Sequence, residues 1–204
     1  MDEPAPAPHR RRGRPPKSAG LVTAQRLLEA ATEVCAEWGY DGATLARVAE
    51  RAQVSPTAIY NHYSNKEELI YAAAVQGLDR ITSMAGMVAD STDVTAELAA
   101  AYLRPEMRDT RRLLAEIHLA SNRDERLAAL LADWHRLWSS AMLERLPEDD
   151  PSPKVTVKLT FMLLLGLCHF DDLPAVRAPR ATVAERAGML LAAIAELGSP
   201  ETRS

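Results

Sequence analysis

Polar side chains that could act together lie within one short stretch, residues 56–62, which reads PTAIYNH. If this stretch is helical, Ala58 and Ile59 point inward, and hydroxyl, amide and imidazole groups remain on the other side. These groups belong to Thr57, Tyr60, Asn61 and His62. Hydroxyls and amides bond phosphates and base edges, so such a set is typical of a surface that reads DNA. The spacing alone leaves one alternative open, a plain helical hairpin with a solvated polar face.

Two other places carry groups that could do chemistry, but neither predicts an active site. At the end of an apolar helix come Cys168, His169, Asp171 and Asp172. Adjacent residues on a helix point about 100° apart, so these groups would chelate a metal poorly. His118 and His135 lie on apolar helices, where a lone histidine is more often part of the core than a ligand contact. The chain has no phosphate loop and no Ser-His-Asp order with a supporting motif. We therefore expect no catalytic residue, no metal and no cofactor, and an enzyme that uses His118 or residues 168–172 is the remote alternative.

The signals around residues 56–62 make that stretch the second of two short helices. Thr44 can cap the first, because its hydroxyl can accept an N–H of the first turn. Ser55 can cap the second, with Pro56 at the first helical position, where a missing N–H costs nothing. Two short helices joined by about three residues make a helix-turn-helix, whose second helix can lie in a DNA major groove.

Helices are predicted on both sides of this pair. Thr23 to Trp38 has apolar residues at helical spacing, and Gly39 should stop it in a left-handed conformation. Trp38 and Tyr40 are expected in the core. After the pair, Ser64-Asn65-Lys66-Glu67 is a capping box that opens a long helix running to about Val88.

The pattern from Thr44 to Leu69, T-x-x-x-V-A-x-x-A-x-V-S-x-x-x-I-Y-x-H-Y-x-x-K-E-x-L, resembles the DNA-binding signature of the TetR family of bacterial transcription regulators. That family usually has glycine in the turn where this chain has Gln53. Glutamine at a positive φ is strained but tolerable, so we expect a slightly different turn and an intact motif. The resemblance implies an all-α protein whose three-helix head precedes a helical domain for effector binding and dimerisation. We accordingly expect an arm at residues 1–19, the head at 20–66 and the second domain at 67–204.

The distribution of charge adds to this picture, although the net charge of −4 does not indicate a nucleic-acid partner. Residues 9–17 are rich in arginine, contain no acid and should be disordered when free. Arg12-Gly13-Arg14-Pro15 resembles an AT-hook, which lies in the narrow minor groove of A·T-rich DNA. A merely solvated basic tail is the alternative. The predicted DNA contacts are Arg11, Arg12, Arg14, Lys17, Thr44, Ser55, Pro56, Thr57, Tyr60, Asn61, His62 and Lys66. Among them, Tyr60 and Lys66 are assigned to phosphates, and Thr57 and Asn61 to base edges.

The 204-residue chain is 47% hydrophobic, and its two cysteines, Cys35 and Cys168, lie in apolar helical stretches. This usage suits a reducing cytosol, and no signal peptide is evident. Residues 158–170 are very apolar but too short to span a bilayer. We therefore expect a cytoplasmic protein with no membrane contact.

Beyond the head, helices are expected at residues 94–103, 107–119, 124–146, 154–170 and 182–197. Pockets between helices are mostly apolar with a few polar groups. The candidates for contact with an unidentified small apolar effector are Met107, His118, Trp134, Trp138, Met142, Phe161 and Met162. A Trp or Met stripe at helical spacing is, however, more often plain core.

The last two helices predict a homodimer. The helix at 154–170 is apolar nearly all round, and such a helix must be covered on every side. A second subunit is the expected cover, and the resemblance implies a four-helix bundle at this place. The predicted interface residues are Leu163, Gly166, Ala187, Leu190, Leu191 and Ile194. The alternative is that both helices complete the core of a monomer.

These observations favour a dimeric transcription regulator, most often a repressor, that binds a palindromic operator in double-stranded DNA and responds to an effector. A DNA-binding architectural protein without an effector, using the arm on A·T-rich DNA, is the second interpretation.

Overall fold

The computed structural model describes residues 17–87, 97, 100–144, 146, 148, 152–170 and 178–196. Within these residues the secondary structure is helical, with turns and bends between the helices and no strand, which confirms the expected all-α fold. Residues 1–16 of the basic arm lie outside the described part. So do residues 94–96, 98 and 99 of the helix expected at 94–103, in which residues 97 and 100–102 are helical.

Helix α1 (Lys17–Gly42) braces the head and is longer than the sequence suggested. It begins at Lys17 rather than Thr23, so residues 17–19 belong to the helix and not to the arm. Gly39 interrupts it with a φ of 72°, in the left-handed region that was expected there. A β-carbon at Gly39 would lie 3.0 Å from Glu116 Oε2, so the glycine also permits a close approach by that acidic side chain.

Helices α2 (Leu45–Ala52) and α3 (Pro56–Tyr60) form the helix-turn-helix. Gln53 stands in the turn with φ 54° and ψ 45°. Its backbone N–H donates to the Glu50 carbonyl at 3.0 Å, so the strained residue still closes the helix. A left-handed conformation costs a non-glycine residue about 1–2 kcal/mol. The motif is intact, as expected, and α3 ends at Tyr60 rather than His62.

Helix α4 (Lys66–Met87) leaves the head, and its cap differs from the predicted one by a residue. The Glu68 N–H donates to Asn65 Oδ1 at 2.8 Å, and the Ser64 N–H donates to Glu68 Oε2 at 2.7 Å. The capping pair is therefore Asn65 with Glu68, not Ser64 with Glu67. Asparagine caps a helix as well as serine does, so the two registers could not be separated by residue type.

The second domain follows the predicted order of helices. A short 3-10 turn (Pro105–Met107) leads into α5 (Arg108–Ala120), and α6 (Glu125–Leu143) follows with Asp124 as its cap. The last two are α7 (Pro153–Phe170) and α8 (Arg180–Glu196). In the described part of the chain, no helix is long and apolar enough to cross a membrane, α7 included.

One buried core joins the head to the second domain. It runs from Leu27 and Val34 on α1, through Ile59 on α3, to Leu113 on α5 and Leu131 on α6. Helix α1 packs against α2, α4 and α5, so it contacts both parts of the chain. The position of the head is thus fixed by packing against the domain behind it.

Candidate nucleic-acid interface

The outer face of α3 presents the polar side chains that were predicted to contact DNA. Thr57, Tyr60 and Asn61 are exposed, with 62% of the tyrosine accessible to solvent. Ile59 on the opposite face is fully buried and anchors the helix. A short helix held from behind with a polar front has the form that enters a major groove.

The residues at the helix entrances are placed by capping. Thr44 Oγ1 accepts from the Arg47 N–H at 3.3 Å, and Ser55 Oγ accepts from the Ala58 N–H at 3.3 Å. Both hydroxyl residues are exposed, as is Pro56. His62 is half-buried, with its ring 6.4 Å from that of Tyr63, so less of it faces outward than of its neighbours.

The arginines of the head face back onto the chain. Arg26 donates to the carbonyl of Ala52, at the end of α2. Arg47 donates to the carbonyl of Gly42, and its guanidinium lies 4.3 Å from the centre of the Trp38 ring. Arg51 pairs with two acids on α1, Glu33 and Glu37. These guanidinium groups are therefore engaged in contacts within the head, and they would have to leave those contacts to bind a phosphate.

Lys66 is also turned inward, which its assignment to a phosphate did not anticipate. Its ammonium donates to the carbonyl of Tyr40 at 2.8 Å and to that of Asp41 at 3.4 Å, and it lies 4.8 Å from the centre of the Tyr40 ring. A cation at this place satisfies carbonyls at the end of α1 and complements the helix dipole. Its phosphate contact stays a prediction.

Trp38 does not lie in the core, contrary to expectation. It is 51% exposed, and the Arg47 guanidinium lies against its ring. Tyr40 does lie in the core, as expected. Burial and a hydrogen bond to Asp124 raise the pKa of Tyr40 to about 12.

Tyr40 is the point where the head meets the second domain, and sequence reasoning missed this role. Its backbone N–H donates to Glu116 Oε2 at 2.9 Å, and its hydroxyl donates to Asp124 Oδ2 at 3.1 Å. Beside it, Arg123 forms an ion pair with Asp41. These contacts join residues 76 to 84 positions apart, so no local pattern in the sequence could reveal them.

The predicted effector residues divide between two places. Met107 is buried and lines an open cavity of about 360 Å³ beside α4. Trp134, Trp138 and Phe161 belong instead to an aromatic cluster between α5, α6 and α7, together with His118 and His135. Met142 is half-buried and Met162 is 59% exposed.

In this aromatic cluster, defined as His118, Trp134, His135, Trp138 and Phe161, all five side chains are half-buried. The indole Nε1 of Trp138 is buried, and no described residue offers it a hydrogen-bond partner. Burial, and then the neighbouring His118, lower the pKa of His135, which favours its neutral form. Among the described residues, no three His, Cys, Asp or Glu side chains gather as a metal site. The side chains of residues 168–172 lie outside the described part.

The predicted dimer residues lie on α7 and α8, and some of them pack within one chain. Ala187 is only 3% exposed and packs against Leu163 and Leu164, which leaves it little surface for a partner. Leu190 is 55% exposed, whereas Gly166 and Ile194 are half-buried. The side chain of Leu191 lies outside the described part.

Comparison with known proteins connects this geometry to a family. Residues 27–73 match the model of the bacterial regulatory proteins, tetR family. The chain is 27% identical over 153 residues to the HTH-type transcriptional regulator UidR of Escherichia coli strain K12, which covers 72% of this chain and 78% of UidR. It is 34% identical over 124 residues to the HTH-type transcriptional repressor AcnR of Corynebacterium diphtheriae, which covers 60% of this chain and 62% of AcnR.

A solved structure shows the same fold over most of the chain. It is that of a transcriptional regulator from Rhodococcus sp. Rha1, with a TM-score of 0.74 at 20% identity, over 86% of this chain and 96% of that one. The family match falls on the residues that build the helix-turn-helix, and its relatives are named as regulators that carry this motif. The chain is therefore a TetR-like DNA-binding transcription regulator, and the residues that match the family model contain its helix-turn-helix.

Proposed function

We propose that the protein is a cytoplasmic, homodimeric repressor that binds a palindromic operator and leaves it when a small, largely apolar molecule enters the second domain. The observation that carries this proposal is the outward polar face of α3, with Thr57, Tyr60 and Asn61 exposed above the buried Ile59. The relative AcnR is named a repressor, which favours repression over activation.

Sequence reading is assigned to Thr57 and Asn61, because a hydroxyl and an amide on the front of α3 can bond base edges. Tyr60 is assigned to a phosphate, which its hydroxyl can reach from the rim of the helix. Thr44 and Ser55, at the entrances of α2 and α3, add hydroxyls and backbone N–H groups that favour an anion.

The basic arm supplies positive charge for DNA phosphates, because the cations of the head are engaged within the chain. Arg26, Arg47, Arg51 and Lys66 all have partners within the chain. Neutralising phosphates and releasing counterions supplies much of the affinity of any DNA-binding protein. We therefore assign this role to the arm residues Arg11, Arg12 and Arg14, with these arginines in an A·T-rich minor groove, and to Lys17 at the start of α1.

Deleting residues 1–16 tests this assignment. We expect weaker operator binding, and a plot of log K against log salt that is shallower by up to roughly 0.9 per lost phosphate contact. Binding is measured by fluorescence anisotropy at several salt concentrations. A full-length control with glutamine in place of the arm arginines should behave like the deletion, which separates charge from length. Unchanged affinity and salt slope in the deletion would mean that the arm is only a tail.

Dimerisation is assigned to α7 and α8. Both helices expose large apolar side chains, among them Leu159, Met162, Met189 and Leu190. Burial of exposed apolar surface on adjacent helices by a second copy of the chain would stabilise a dimer. A two-fold dimer would carry two recognition helices, which suits half-sites about 34 Å apart.

Effector binding is assigned to the aromatic cluster. A buried donor without a partner costs free energy, so a molecule that offers an acceptor to Trp138 Nε1 would relieve that cost. A ligand that favours the conformation unable to bind DNA weakens operator binding by its differential affinity. The cavity near Met107 has Asp79, Arg80 and Glu106 at its wall but exposes mostly apolar surface, so it is the second candidate place for the effector.

Footprinting the DNA upstream of the coding region tests the proposed function. A discrete protected site with two-fold symmetry supports an operator-binding repressor. Broad coverage of A·T-rich DNA without such a site would favour the architectural interpretation and contradict the proposal. A thermal-shift screen of small apolar compounds then tests the effector, and a hit should also weaken the footprint.

A further inference from the structure

The two histidines of the aromatic cluster, to which effector binding is assigned, have a geometry that contact with an apolar molecule does not require. His118 on α5 and His135 on α6 bring their Nε2 atoms to 3.3 Å, while their ring centroids are 5.2 Å apart. In a straight N–H···N hydrogen bond of that length the centroids would be about 5.5 Å apart, because each ring centre lies about 1.1 Å behind its nitrogen. The rings are therefore inclined to each other and not aligned along the line between the nitrogens.

The observed separations agree with two ligands of one tetrahedral metal ion. With Zn–N bonds of about 2.05 Å and angles of about 109°, two ligating nitrogens lie about 3.3 Å apart and their ring centroids about 5.2 Å apart. Both values match those of His118 and His135. Both distances thus allow a common metal position beside the pair, and they also fit a bent N–H···N hydrogen bond.

The hydrogen bonding of His118 selects the tautomer that a metal requires. Its Nδ1 lies 2.7 Å from the carbonyl oxygen of Leu114. A carbonyl only accepts, so Nδ1 carries the proton, and in the neutral ring Nε2 keeps its lone pair. Histidine ligands commonly donate their other N–H to a backbone carbonyl in this way, which fixes the direction of the ring.

We propose that His118 and His135 form a binding site for a divalent transition-metal ion of the zinc type. Imidazole nitrogens suit Zn²⁺, Cu²⁺, Co²⁺ and Ni²⁺, whereas Mg²⁺ and Ca²⁺ prefer oxygen. The two histidines supply two positions, and water or a small chelating molecule completes the coordination. The rings of Trp134 and Phe161, centred 5.4 and 5.1 Å from that of His135, form an apolar wall beside the site. This site would tie α5 to α6, and it does not depend on the repressor function.

Cobalt titration of the full-length, untagged protein tests the site. Co²⁺ reports four-coordination by visible ligand-field absorption, and zinc should displace it. We expect one Co²⁺ per chain, and an affinity at least tenfold lower in His118→Gln and in His135→Gln. The matched control is the double variant Cys168→Ser, His169→Gln, which should bind as tightly as the parent. Melting curves of each metal-free variant establish that it folds.

A second measurement needs no histidine variant. In the Trp38→Phe protein the remaining tryptophans belong to the aromatic cluster, so paramagnetic Cu²⁺ at the site should quench most of the fluorescence and Zn²⁺ should not. Saturable, zinc-reversible quenching supports the proposal. Absence of stoichiometric binding, absence of quenching, or binding that survives both histidine changes would show that the pair is only a hydrogen-bonded contact.

Discussion

The head and the second domain arrange their polar side chains in opposite ways. On the front of the head, Thr57, Tyr60 and Asn61 point to solvent. In the second domain, His118, His135 and Trp138 are half-buried and pack among neighbouring rings. The polar face of the head can therefore meet a large polar partner, whereas the polar groups of the aromatic cluster lie between helices. DNA recognition and ligand recognition are thus placed in different parts of one chain.

The largest effect on stability is expected from Ile59→Ala. This substitution tests whether the head and the second domain unfold together. Ile59 is fully buried in the core that continues into the second domain. The change should lower the free energy of unfolding by about 2–5 kcal/mol. Because the core is shared, urea unfolding followed by circular dichroism and by tryptophan fluorescence should give coincident transitions.

Thr57→Ala is the matched control, because Thr57 lies on the exposed side of the same helix. It should change stability by no more than about 0.5 kcal/mol. Separate transitions for the two probes in Ile59→Ala would show that the head unfolds alone and would break the picture of one core.

Tyr60→Phe examines the outward face of the head. Loss of the hydroxyl should weaken DNA binding by about 1–3 kcal/mol, as for hydrogen bonds to charged groups. The loss should be similar for operator and unrelated DNA, because a phosphate contact carries no sequence information. Anisotropy titrations with both DNAs measure it, and Tyr71→Phe, on α4 away from this face, is the control. A loss of affinity confined to the operator would mean that Tyr60 contacts a base edge and not a phosphate.

A pH-dependent effect of intermediate size is expected from Cys35 inside the head. Burial, and then the charge of Glu116, raise the pKa of this thiol to about 12. In the unfolded chain the thiol loses its proton near pH 8.5, while the folded chain keeps it. The stabilisation is therefore complete below about pH 8.5 and is lost as the pH rises toward 12, by roughly 1.4 kcal/mol per pH unit.

Urea unfolding between pH 8 and 10.5, in the presence of a reductant, compares the parent with Cys35→Ala. The parent should lose stability more steeply than the variant, because only the parent carries the protected thiol. Parallel curves would mean that Cys35 is less shielded than its burial indicates.

The smallest effect is expected from Gln53→Gly in the turn of the helix-turn-helix. Glycine removes the strain of a φ of 54°, which costs glutamine about 1–2 kcal/mol. Glycine also raises the conformational entropy of the unfolded chain, which offsets part of this gain in stability. We expect a gain of up to about 1 kcal/mol in thermal unfolding. Gln53→Ala keeps the β-carbon and should gain nothing. A destabilised glycine variant would show that the glutamine side chain itself supports the turn.

The sequence predicted best what depends on neighbouring residues. The caps at Thr44 and Ser55, the stop at Gly39 and the order of helices follow from local hydrogen bonding and backbone freedom, and the structure contains them. The polar face of α3 was readable for the same reason, since helical spacing alone separates Thr57 from Ile59.

What the sequence could not provide depends on residues far apart in the chain. The inward direction of Lys66 requires the end of α1 to lie beside it, and the contact of Arg47 with the Trp38 ring requires α1 to pack on α2. The pairing of His118 with His135 needs the crossing of α5 and α6. Residue type gave the candidates in these cases, but only tertiary packing decides which groups meet.

The junction at Tyr40 sets the mechanics of the molecule. Hydrogen bonds to Glu116 and Asp124 hold the end of α1 against the second domain, and Lys66 holds the start of α4 to that same end. The head is thus the tip of a stiff lever whose length is about that of α4, roughly 33 Å for its 22 residues. A rotation of the subunit by about 5° would displace the tip by about 3 Å, a large misfit against half-sites separated by about 34 Å. In a dimer of such levers, the contact between the subunits would set the distance between the two recognition helices. The operator spacing that the protein accepts would thus be determined far from the DNA.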